Sequence, residues 1–171
     1  MRGLGILLLA VLVVGGCTFR STQMEGLLSL FESSGESVPH VWQATLGGKE
    51  RSLAVTLDGD LFVFVSPVGD AVSFDGWLIR SVVGFGFSEP VAVRDADNMR
   101  SFRELGQYAY HRCEPWALQT LSAGSRWTQR CVGRTIYENS IELDSRGEIV
   151  TIDQVVTAGG DRVTLRRTGS A

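Results

Sequence analysis

The chain has 171 residues, of which 44% are apolar, 20% charged and 9% aromatic. This is the mix of an ordinary globular protein, not of a disordered or fibrous one. At about 100–200 residues per domain, the length excludes a multi-domain enzyme. Sixteen basic against nineteen acidic groups give a formal charge of −3. No cationic excess exists to neutralise phosphates, so nucleic acid is not an expected partner.

The chain opens with Met1 and Arg2, a short positive start, and continues from Leu4 to Val14 as an apolar run. Crossing a bilayer core takes about 20 residues, so the run suits a signal-peptide core better than a membrane span. Gly15 and Gly16 then precede Cys17. Small residues before a cysteine, directly after such a core, form a bacterial lipobox. The competing readings are an ordinary signal peptide with an incidental cysteine, and a membrane anchor. The lipobox predicts acylation (palmitate or a related chain) at Cys17 and cleavage that makes Cys17 the new N-terminus. Each buried methylene contributes roughly 0.8 kcal/mol, so several chains would hold the body at a membrane. Thr18 in place of Asp favours the outer membrane, facing the periplasm. That sorting rule does not hold in all bacteria, so inner-membrane retention stays open. The expected organisation is a leader at 1–16, a lipidated tether at 17–22 and one β-rich periplasmic domain at 23–171.

Met24, Leu27, Leu28 and Phe31 fall at i, i+3, i+4 and i+7 and predict a short helix over 23–32. From Val38 the pattern changes to period two. Val41–Leu46 and Arg51–Leu57 flank Gly47-Gly48, a hairpin signal. Asp58-Gly59 turns the chain into Leu61–Val65, and Gly76–Val83 reads as another strand. The glycines around Phe85 and Phe87 predict a bulge or a close backbone approach. Val91–Val93 is a short extended piece. Asp95 to Tyr108 reads as a short helix, with Asp97 as its cap and Met99, Phe102 and Leu105 as an apolar stripe. Tyr108–Cys113 and Pro115–Leu121 are extended, and 125–131 is polar and aromatic. Thr135–Asp144 and Glu148–Val156 form the clearest hairpin, and Arg162–Arg167 is a last strand. The expected fold is mainly β, an antiparallel sandwich or half-open barrel with one or two short peripheral helices.

Two cysteines remain, Cys113 and Cys131. In an oxidising periplasm a disulfide is the default, contributing about 3 kcal/mol for a loop of this size. A zinc site would have to recruit His40 and His111, and a cysteine nucleophile would need a base and a reducing compartment.

The usual catalytic constellations are missing. No GxSxG is present, and Lys49, the sole lysine, lies in an expected turn. Asp95, Asp97 and Asn98 begin like a calcium loop but lack its glycine and its closing glutamate. Asp58 and Asp60 sit in a turn. His111 alone has catalytic potential, and a strand histidine beside a disulfide is the plainer reading. No catalytic residue, metal or cofactor is assigned. Tryptophan stacks on sugar rings and arginine pairs with acidic groups. Trp127, flanked by Arg126 and Arg130, is therefore the best candidate for contact with an anionic glycan or a partner.

Several segments resemble the YjbF-type lipoproteins, which include the group 4 capsule lipoprotein. They are the short lipobox leader followed by a helix; Asp60–Val65 preceding Asp75–Gly84; and Cys131, Tyr137-Glu138-Asn139 and Leu143–Val150 late in the chain. Cys113 and Cys131 have no counterpart that maps onto that family. The resemblance implies a non-enzymatic outer-membrane lipoprotein, accessory to exopolysaccharide or capsule secretion, with polysaccharide or export-complex proteins as partners. Two rivals belong to other classes: a carrier of lipid or lipoproteins with an apolar cavity, and an inhibitor of a cell-wall hydrolase.

Overall fold

The structure, a computed structural model, describes residues 42–168. The expected leader, Cys17, the tether and the 23–32 helix lie outside the described residues. Thirteen strands follow in order: β1 (Trp42–Leu46), β2 (Lys49–Asp58), β3 (Leu61–Val65), β4 (Ala71–Phe74), β5 (Ile79–Val83), β6 (Val91–Ala96), β7 (Met99–Glu104), β8 (Gln107–Cys113), β9 (Ala117–Leu121), β10 (Gly124–Val132), β11 (Ile136–Asp144), β12 (Ile149–Val155) and β13 (Arg162–Arg167). The described residues contain no helix.

Every pairing is antiparallel and nearly all are between sequence neighbours. The ring closes because β13 returns to β1, from Trp42 opposite Arg167 to Thr45 opposite Thr164, and because β10 pairs both β8 and β11. Twelve strands complete the circuit. β9 stays outside it, continuing the line of β8 along β10. The expected sandwich or half-open barrel is thus corrected to a closed barrel. Closure pairs the two edges that an open sheet would leave exposed.

The helix expected over Asp95–Tyr108 is also corrected. Asp95–Arg100 and Val93–Phe102 are cross-strand pairs of the β6–β7 hairpin. Its turn is Asp97-Asn98, with φ of 50° and 63°. Asp and Asn are the non-glycine residues that best tolerate this left-handed conformation, and two in succession make a tight hairpin turn.

Alternation sends one set of side chains inward. Ala44, Leu53, Phe64, Val72, Val82, Val93, Phe102, Ile141, Ile152 and Leu165 fill the interior. Trp42 meets Phe64 edge-on at 5.1 Å. Because the strands alternate in direction, the start of β1 and the turns after β2, β4, β6 and β11 share one end, called here the entry end. At the far end the backbone packs closely. Asp70 Oδ1 accepts from Phe85 N at 2.7 Å, and a Cβ on Gly84 would stand 2.2 Å from that same oxygen, which is why only glycine fits there.

Candidate functional site

Three tryptophans from three separated elements meet at the entry end. Trp77 lies in the β4–β5 turn, Trp116 between β8 and β9, and Trp127 on β10. The Trp77 ring stands edge-on to Trp127 at 5.0 Å and tilted against Trp116 at 5.8 Å. Asp75 Oδ1 accepts from the backbone N of Trp77 at 2.9 Å and of Leu78 at 2.7 Å, which sets the turn. Gln154, fully buried on β12, holds the turn from the barrel interior. Its Nε2 donates to Trp77 O at 2.7 Å and its Oε1 accepts from Ile79 N at 3.0 Å. Trp77 is thereby fixed by backbone bonds while its ring stays 46% exposed.

Beside these rings opens a cleft of about 510 Å³, lined by Trp77, Trp116, Asp75, Asp95, Asp97, Asn98, Glu114 and Gln129 among others. Arg100, fully buried, forks onto Asp95 with two 2.8 Å bonds and reaches Gln129 Oε1 at 2.9 Å. Arg80 stands 3.4 Å from Asp75, and Arg130 stands 3.1 Å from Glu114. Three of the carboxylates at the cleft are therefore ion-paired, while Asp97 forms no ion pair and Arg100 Nη1 is buried without a hydrogen-bond partner among the described residues.

The sequence candidates are distributed around this cleft unequally. Trp127 does not line it and is linked to it only through the Trp77 ring. Arg130 reaches it only by way of Glu114. Arg126 is adjacent to Trp127 on a strand and so points to the opposite face, where it pairs with Glu142. Cys113 and Cys131 are joined in a disulfide, so neither thiol can serve zinc. The sequence reading missed Trp77 and Trp116. Their partnership joins segments far apart in the chain, and only the exposed Asp75-Gly76-Trp77 turn signalled one of them.

His111 is buried inside the barrel. Its Nδ1 lies 2.9 Å from Tyr137 Oη, and its ring stands edge-on to Phe102 at 4.8 Å. Burial, together with the cations Arg100 and Arg134, pushes its pKa below the ordinary value despite Glu104. Burial likewise pushes the Tyr137 hydroxyl up to about 12. His111 is then a neutral packing residue.

A second opening at the entry end differs in character. It holds about 270 Å³ and is lined by Trp42, Val55, Phe62, Phe64, Phe74, Ile149 and Ile152, with no polar side chain.

A closed up-and-down barrel with ligand-sized openings at one mouth is the class that the fold and the site define. Among solved structures, the chain is similar to the hypothetical lipoprotein YmcC from Escherichia coli K12. The TM-score is 0.58 at 12% identity, over 86% of this chain and 95% of that one. At that identity the likeness is one of fold. No family model and no curated protein matches the chain.

Proposed function

We propose that this chain is a non-enzymatic lipoprotein of the bacterial outer membrane, facing the periplasm, whose barrel contacts a polysaccharide as an accessory of exopolysaccharide or capsule secretion. The observation that carries this reading is the tryptophan cleft. Indole faces offer flat apolar platforms for the C–H face of a pyranose, while carboxylate and amide oxygens accept from its hydroxyl groups. The lipobox at Cys17 and the fold shared with the hypothetical lipoprotein YmcC support the envelope placement. Asp75, Asp95 and Glu114 at the cleft are each paired with an arginine, which orients their remaining lone pairs to accept hydrogen bonds.

The test is genetic. Deleting the gene should lower surface polysaccharide, and a Trp77→Ala/Trp116→Ala chain made at the normal level should fail to restore it. Unchanged surface polysaccharide in the deletion strain would overturn the reading.

The apolar opening favours a second reading, a carrier of acyl chains. Its wholly apolar lining matches a hydrocarbon tail. Mass spectrometry of the protein purified from membranes would show a stoichiometric lipid in that case, and Phe62→Asp would abolish the lipid.

A further inference from the structure

The cleft's charge arrangement says which sugars it takes, an inference that rests on the glycan reading above. Among the lining residues the only cation is Arg80, and Asp75 matches it at 3.4 Å. The guanidinium groups that reach the cleft from outside its lining likewise have carboxylate partners. Arg100 is held bidentate by Asp95, with its Nη1 buried and without a hydrogen-bond partner among the described residues, and Arg130 meets Glu114 through one contact of 3.1 Å. Asp97, at the rim, forms no ion pair among the described residues. Every cation at the cleft thus has its own carboxylate, and one carboxylate is left over.

We infer that the cleft takes uncharged sugar units, hexoses or N-acetylhexosamines, and rejects acidic ones. A uronate or phosphate group entering it would find no guanidinium without a carboxylate already beside it. Recruiting Arg80 would leave Asp75 without its partner, recruiting Arg130 would do the same to Glu114 and recruiting Arg100 to Asp95, and all three carboxylates line the cleft. Each exchange trades one pair for another and leaves the excess negative charge of the cleft facing the acidic group, which is how an interface discriminates against a wrong partner. An uncharged ring needs none of this. It stacks on Trp77 and Trp116 and donates hydroxyl protons to oxygens that are already oriented. This reverses the expectation, drawn from Arg126 and Arg130, of an anionic glycan: Arg126 is on the other face and Arg130 is already paired.

The experiment follows intrinsic tryptophan fluorescence of the full mature chain. The probes are uncharged tetrasaccharides of glucose, galactose, mannose and N-acetylglucosamine, with tetragalacturonate as the acidic probe, at low and at high salt. At least one neutral probe should bind tenfold or more tightly than tetragalacturonate, with little salt dependence. Trp116→Ala should weaken that binding at least tenfold, while Val68→Ser, exposed in the β3–β4 turn at the far end, leaves it unchanged. Tetragalacturonate binding as tightly as the neutral probes at low salt would overturn the inference and leave the glycan reading standing. If no probe of either kind perturbs the fluorescence, the glycan reading falls and the inference falls with it.

Discussion

Arg100 and His111 stand opposite each other on β7 and β8, and the pair shows what one residue's position does to its chemistry. Arg100 is bonded by Asp95 and Gln129, with only its Nη1 left without a partner among the described residues. His111 faces that cation from a buried site with only a tyrosine hydroxyl to bond. Protonating it would bury a second positive charge, hence the lowered pKa. The unfolded chain takes up that proton near pH 6.5, the folded chain only at lower pH. The unfolded state therefore binds more protons in that interval, and stability falls as pH drops below about 6.5. We predict that the melting temperature declines between pH 7.5 and pH 5, above the range where carboxylates titrate. In His111→Gln, which keeps a polar partner for Tyr137 but cannot titrate, the decline should shrink. An equal decline in both proteins would show that another group is responsible.

At the scale of the strand and its turn, Leu105-Gly106 is the least comfortable piece of local structure. It joins β7 to β8 with φ of 48° at Leu105 and 73° at Gly106. The glycine is suited to that conformation. The leucine is not, and its side chain is 68% exposed, so little packing repays the cost of about 1–2 kcal/mol. Leu105→Asn should stabilise by about 1 kcal/mol, raising the melting temperature by about 3 °C. An unchanged or lower melting temperature would show that Leu105 contributes through contacts that outweigh its backbone. The same segment shows what could be read from sequence and what could not. Hairpins whose turns carry glycine, such as Gly47-Gly48 and the one after Asp144, were legible from alternation and turn chemistry. β7 was not. Met99, Phe102 and Leu105 mimic a helical stripe, whereas the residues that face inward are Arg100 and Phe102, with a fully buried arginine in a position that hydropathy marks as surface. The tryptophan cleft was legible only in part, since Trp127 announces itself by its neighbours but Trp77 reaches it through a buried glutamine on β12.

For the whole molecule, closure is the property that no local pattern could carry, because it depends on β13 meeting β1 and β8 meeting β10 across long stretches of chain. The two seams are not equal. β13 and β1 share four registered pairs, from Trp42 to Thr45. β8 and β10 share two, Cys131 with Cys113 and Val132 with Arg112. The disulfide is therefore placed at the weaker seam, in the very pair that closes it. It also staples the base of the β9–β10 hairpin, the arm that carries Trp116 at the cleft and Trp127 behind Trp77. Cutting it removes a constraint on the unfolded chain worth about 3 kcal/mol and at the same time frees that arm. Cys113→Ala/Cys131→Ala should consequently lose stability overall. Its amide exchange should rise first in β8, β9 and the neighbouring half of the cleft, while β12, β13, β1 and β2, held by longer ladders, keep their protection. Uniformly faster exchange would mean that the disulfide acts only through the unfolded state. Localised exchange would identify the seam as the hinge on which the tryptophan cleft is held.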